Sequence, residues 1–135
     1  MILAGSVDTN ILVRLVTQDD ARQARAVNRL MARCANEGQL LWVPVTVVLE
    51  LEWVLRTRAS LAKAQVIQTM NALLSMVELS FESENAVEQA LSDYQEGSAD
   101  FGECLHVALA RARQALPFWT FDRKVAKVNG ASVLV

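Results

Sequence analysis

The acids Asp8, Glu50, Asp100, Glu103 and Asp122 stand where this sequence could do chemistry. Asp8 lies in Val7-Asp8-Thr9-Asn10 and Asp122 in Trp119-Thr120-Phe121-Asp122, each directly after an apolar run. Asp100 and Glu103 fall within one turn of a segment that continues Cys104-Leu105-His106-Val107-Ala108-Leu109. Carboxylate oxygens are the ligands that Mg²⁺ and Mn²⁺ prefer. No Cys or His cluster competes for a softer metal, because Cys34 and Cys104 are far apart and His106 is the only histidine.

Each acid also has a structural reading. Asp8 and Asp122 suit helix N-caps, and the Asp100/Glu103 spacing resembles a capping box. Glu50 has Thr46, Val47, Trp53 and Val54 as helical neighbours, and a carboxylate on such an apolar face is expected to need a partner or a metal. Glu52 has Arg56 at i+4 and is expected to form an ordinary solvated pair. His106 reads as a packed histidine. Trp42, Trp53 and Trp119, with Met31, Met70 and Met76, read as core or partner surface. Among the cations, Arg14 and Arg123 lie nearest in sequence to Asp8 and Asp122, and are the candidates for phosphate contact.

Elements that could position these groups alternate along the chain. Strands are expected at residues 2–7, 40–43, 77–79, 118–121 and 132–135. Helices are expected at 10–16, from Asp19 or Asp20 to about 36 with Glu37-Gly38 as the stop, and at 46–58. Further helices run from a cap at Ser60 through 76, over 83–95, over 100–114 before Pro117, and briefly over 123–128. The alternation predicts an α/β fold with a parallel sheet wrapped by helices, whose ligands gather at the carboxyl ends of strands.

With 135 residues the chain has the size of one domain. An apolar fraction of 53% and a mean hydropathy of +0.22 fit a compact globular protein. A formal charge of −2 and a pI near 5.4 exclude a protein that grips nucleic acid by bulk positive charge, but not one that binds it locally or through metal ions. Residues 1–7 lack a basic start and read as a strand, not a signal peptide. The apolar stretch 40–49 is broken by Pro44 and is shorter than the ~20 residues a bilayer span takes. A cytoplasmic protein with reduced thiols and no membrane partner is expected.

Taken in order, Val7-Asp8-Thr9-Asn10-Ile11-Leu12-Val13-Arg14, Val48-Leu49-Glu50-Leu51-Glu52-Trp53-Val54-Leu55, Ala99-Asp100-Phe101-Gly102-Glu103-Cys104-Leu105-His106 and Thr120-Phe121-Asp122-Arg123-Lys124 resemble a PIN-domain ribonuclease, specifically the VapC-type toxin of a toxin–antitoxin pair. The similarity runs over nearly the whole chain. It implies a single PIN domain over 1–135: a three-layer fold with a five-stranded parallel sheet flanked by helices. It also implies endonucleolytic cleavage of RNA with Mg²⁺ or Mn²⁺, leaving a 5′-phosphate and a 3′-hydroxyl.

By the same resemblance Asp8, Glu50 and Asp122 match family acid positions. Glu103 stands where many relatives place an aspartate, one methylene longer, so either Glu103 reaches the metal or Asp100 takes a larger share. The implied catalytic set is Asp8, Glu50, Glu103 and Asp122, and the implied metal ligands are Asp8, Asp100, Glu103 and Asp122. Thr9, Asn10 and Thr120 are expected to support the site. The implied partners are RNA, a small VapB-like antitoxin and a second copy of the chain in a homodimer.

Two other readings compete. A doubly wound phosphatase also opens with an aspartate after its first strand, but would want a second acid two residues later, where this chain has Asn10. A PIN fold kept only for antitoxin binding, without catalysis, would fit the glutamate at position 103.

Overall fold

The computed structural model describes residues 2–135, so Met1, at the head of the expected first strand, lies outside the described residues. The chain forms two compact units, one ending at Glu82 and the other spanning Ser83–Val135.

In the first unit, strand β1 (Ile2–Ser6) leads into α1 (Thr9–Thr17), α2 (Ala21–Glu37), β2 (Gln39–Val43), α3 (Val45–Thr57), α4 (Lys63–Leu74) and β3 (Leu79–Phe81). The strands form a parallel sheet in the order β1-β2-β3. The β1–β2 register slips between Leu3 and Gly5, and Gly5 takes a φ of +144° that a residue with a Cβ rarely adopts. Helix α2 obeys its sequence signals: the Asp20 carboxylate accepts from Gln23 N at its start, and Gly38 closes it in the left-handed region. Its buried stripe Ala24, Val27, Met31 and Cys34 has helical spacing, and α2 packs on β2, whose Leu41 and Val43 are buried. Leu12, Val48, Leu51, Leu55, Val66 and Leu73 complete this core.

The second unit runs α5 (Glu84–Glu96), α6 (Phe101–Ala112), β4 (Phe118–Thr120), a 3-10 turn at Val125–Lys127 and β5 (Ala131–Val133). Helices α5 and α6 pack together, with Tyr94 and Phe101 edge to face at 5.8 Å, and β4 pairs in parallel with β5. Both cysteines are buried and free. The α/β class with helices flanking parallel strands is therefore present. The five strands occur as a three-stranded and a two-stranded sheet, all pairings parallel.

Two expected elements are displaced. The third strand is Leu79–Phe81 and not 77–79: Leu79 and Phe81 alternate inward around Ser80, while Val77 is exposed. Ser60 does not cap α4; it lies in the left-handed region with a φ of 56°. The helix instead starts after Ala62, whose N–H donates to the Gln65 side chain at 2.9 Å. Among the described residues no helix is long and apolar enough to cross a membrane.

Candidate functional site

Strand β1 is continued by Val7, which is buried and donates its N–H to Trp42 O. That pairing delivers Asp8 to the carboxyl end of the strand. Asp8 has extended backbone and caps α1, its Oδ1 accepting from Ile11 N at 3.2 Å. The capping role foreseen for Asp8 is real, and it leaves the second carboxylate oxygen without a hydrogen-bond partner among the described residues.

Next in the chain, Thr9 is buried and donates its hydroxyl to Glu50 Oε1 on α3. Glu50 likewise keeps its other oxygen without a partner among the described residues. Asp8, Thr9, Asn10 and Glu50 line one cavity of about 130 Å³, completed by Trp53, Val54 and Arg58. The first unit thus brings together two of the expected acids and two of the expected supporting residues.

The reading of the two glutamates on α3 is reversed. Glu52 is the buried one, at 3% exposure, and Glu50 is exposed. At 3.6 residues per turn, positions two apart differ by about 200° around the helix, so only one of the pair can follow the core. Val48, Leu51 and Leu55 take the core face, and Glu52 goes with them at i+4 from Val48. The expected i,i+4 pair is nonetheless present, Arg56 Nε donating to Glu52 Oε2 at 2.9 Å. Glu50 is turned to the open cavity, where a carboxylate stays hydrated and can meet a ligand.

Arg14 is engaged elsewhere than at a free phosphate position: it pairs with Asp19 at 2.7 Å and donates to Gln23 at 2.6 Å. It lines a neighbouring cavity of about 210 Å³ that shares Asn10, Val54 and Arg58 with the first.

In the second unit Asp100 occupies the N-cap position of α6 but makes no capping hydrogen bond, so the capping-box reading does not hold there. Glu103 follows in the first turn, half-buried, behind the buried anchor Phe101. Asp122 is exposed in the turn after β4, where its Oδ1 accepts from Lys124 N at 2.8 Å and its own N–H donates to Thr120 Oγ1 at 3.0 Å. The Asp122 carboxylate therefore shapes a local turn instead of capping the 3-10 turn, and Thr120 supports it through the backbone. Arg123 is exposed beside it. His106 is exposed and stacks on Phe118 with centroids 6.1 Å apart, a packing role.

Among the described residues no three His, Cys, Asp or Glu side chains form a ready-made cation site. The donors in the first cavity still fit a hard divalent cation: Asp8 and Glu50 each retain an uncommitted oxygen, Asn10 adds an amide, and no sulfur or imidazole lines the cavity. Trp53 and Arg58 are lining residues that the sequence reading passed over. The signal for Trp53 was its i+3 spacing from Glu50 on α3, whereas Arg58, at the C-cap of that helix, carried none.

The PIN domain family model matches residues 6–131 of the chain, across both units. No curated protein matches it. PIN domains are generally nucleases and generally use divalent metal ions.

Proposed function

Since the chain belongs to the PIN-domain family, we propose that it is a Mg²⁺- or Mn²⁺-dependent endoribonuclease, the toxin of a VapC-type toxin–antitoxin pair. The observation that carries this reading is the cavity in which Asp8 and Glu50 each present an uncommitted carboxylate oxygen. In the first unit Asp8 and Glu50 would hold the metal; Asp100, Glu103 and Asp122 belong to the second unit and are added as ligands by the family resemblance alone. A bound divalent ion would lower the pKa of water and offset charge on the scissile phosphate.

The protein's own groups prepare that chemistry. The cap on Ile11 N fixes the Asp8 carboxylate at the end of β1, so no side-chain reordering is needed when a ligand arrives. Thr9 holds Glu50 by its hydroxyl and selects which oxygen faces the cavity. Asp122 is held differently: Thr120 Oγ1 accepts from its backbone N–H, and its carboxylate accepts from Lys124 N. Arg58 in the cavity supplies local positive charge for RNA phosphates in a chain of net charge −2, and the exposed Arg123 of the second unit is a further candidate, whereas the charge of Arg14 is taken by Asp19. The remaining partners of the reading are a small VapB-like antitoxin that blocks the acidic cavity and a second copy of the chain in a homodimer.

Brief expression in cells followed by mapping of new 5′-phosphate RNA ends tests the proposal. Discrete new ends are expected, reproduced by purified protein with Mn²⁺ and abolished by chelation. If purified protein with Mn²⁺ cuts no RNA while binding a small antitoxin tightly, the chain is a non-catalytic binding module.

A further inference from the structure

Trp53 is the conspicuous side chain of the acidic cavity. It lies three residues after Glu50 on α3, so both rise from one helical face. It is 48% exposed, while Val48, Leu51, Val54 and Leu55 of the same helix are buried. The core of the first unit is closed without it. A large π-face left half in water beside two carboxylates has its apolar area available to a ligand.

Arg58 adds the second half. Its guanidinium carbon lies 5.7 Å from the Trp53 ring centroid, near the outer end of the ~6 Å cation–π range. So loose a contact is readily exchanged for a phosphate. Arg58 makes no ion pair among the described residues, whereas Arg14 in the adjoining cavity is neutralised by Asp19. Arg58 lines both cavities, so an acceptor there would sit between the acids and the neighbouring space.

We infer that Trp53 and Arg58 form a subsite beside the acidic cavity in which Trp53 stacks one unpaired nucleobase and Arg58 binds the phosphate next to it. Every base offers a π-face to an aromatic platform, but only an unpaired, splayed base can lay that face on Trp53. The arginine supplies the phosphate contact without adding base selectivity, because guanidinium-to-phosphate bonds read the backbone alone. The subsite rests on the nuclease reading for its substrate, yet it acts in binding and can be tested apart from cleavage.

The experiment uses the full chain with Ca²⁺ in place of Mn²⁺, and measures by fluorescence anisotropy the Kd for a labelled single-stranded oligoribonucleotide and for a hairpin duplex of the same composition. Trp53→Ala is expected to weaken single-strand binding roughly 5- to 100-fold, the range that base stacking supplies, with Trp53→Phe recovering most of it. Duplex affinity should change by less than about twofold, since a paired base cannot reach the ring. Arg58→Gln should reduce the slope of log Kd against log salt by about 0.7, the share of one single-strand phosphate. Circular dichroism of both variants should match wild type.

Equal single-strand affinity in Trp53→Ala and wild type overturns the inference, as does equal loss for single strand and duplex, or no single-strand binding by wild type. If Trp53→Ala instead loses only antitoxin binding, the ring is a protein-docking surface and the inference fails. Cleavage with Mn²⁺ separates the two readings. Single-strand discrimination at Trp53 without any cleavage removes the nuclease reading and keeps the subsite. Metal-dependent cleavage with unchanged Kd in Trp53→Ala removes the subsite and keeps the nuclease.

Discussion

The two units handle their aspartates differently. In the first, Asp8 and Asp20 each cap a helix, accepting from Ile11 N and Gln23 N, and Asp8 also lines the cavity with Glu50. In the second, Asp100 sits at the N-cap position of α6 without a capping bond, and Asp122 holds a turn. An aspartate after a strand is thus not one kind of residue. One carboxylate has two oxygens, so a cap can fix its position while the other oxygen remains for a ligand, as at Asp8. Where the cap bond is missing, as at Asp100, the helix start is held by packing instead, through the buried Phe101.

That contrast can be broken most forcefully at Phe101. Phe101→Ala should cost about 3–5 kcal/mol in urea unfolding, because the side chain is 1% exposed and packs against Tyr94. A loss below ~1 kcal/mol would mean that the start of α6 is held by something other than this anchor.

The α3 glutamates sharpen the difference between a residue turned to the cavity and one turned to the core. Glu50→Gln should slow Mn²⁺-dependent RNA cleavage roughly 100-fold, about 2.7 kcal/mol of barrier, with stability within ~0.5 kcal/mol of wild type. Glu52→Ala should do the reverse, losing about 1–3 kcal/mol of stability with the bond to Arg56 while the folded protein cuts at the wild-type rate. Identical behaviour of the two variants in both assays would erase the distinction.

Smaller effects follow. Thr9→Val removes the hydroxyl that holds Glu50 and should lower kcat roughly tenfold with little change in KM, read from initial rates. Asp20→Ala should cost about 1 kcal/mol in thermal unfolding, whereas Asp100→Ala should stay within about 0.5 kcal/mol because no cap bond is lost. Equal losses at the two positions would show that α6 is capped after all.

Much of this arrangement was legible in the residues. Asp20 and Gly38 bound α2 as their types dictate, and the apolar run into Asp8 placed that acid at the end of β1. Local chemistry of this kind needs no knowledge of the rest of the chain. What misled were features decided by packing. Glu50 and Glu52 have similar apolar neighbours in the sequence, and only the packing of α3 against α1 and α4 determines which of them turns inward. Ser80 obscured β3, because a polar residue between two inward ones reads as the end of a strand. Trp53 read as core or partner surface by its type; it is not core but lines the cavity, since the stripe from Val48 to Leu55 closes the core without it.

The central claim is that Asp8 serves both as a cap and as a metal-dependent catalytic carboxylate. Asp8→Asn isolates the second role, because asparagine caps a helix about as well as aspartate. Initial rates of Mn²⁺-dependent cleavage of a single-stranded RNA should fall roughly 100-fold or more in Asp8→Asn while its thermal unfolding midpoint stays at the wild-type value. An Asp8→Asn protein that cuts as fast as wild type would contradict the account.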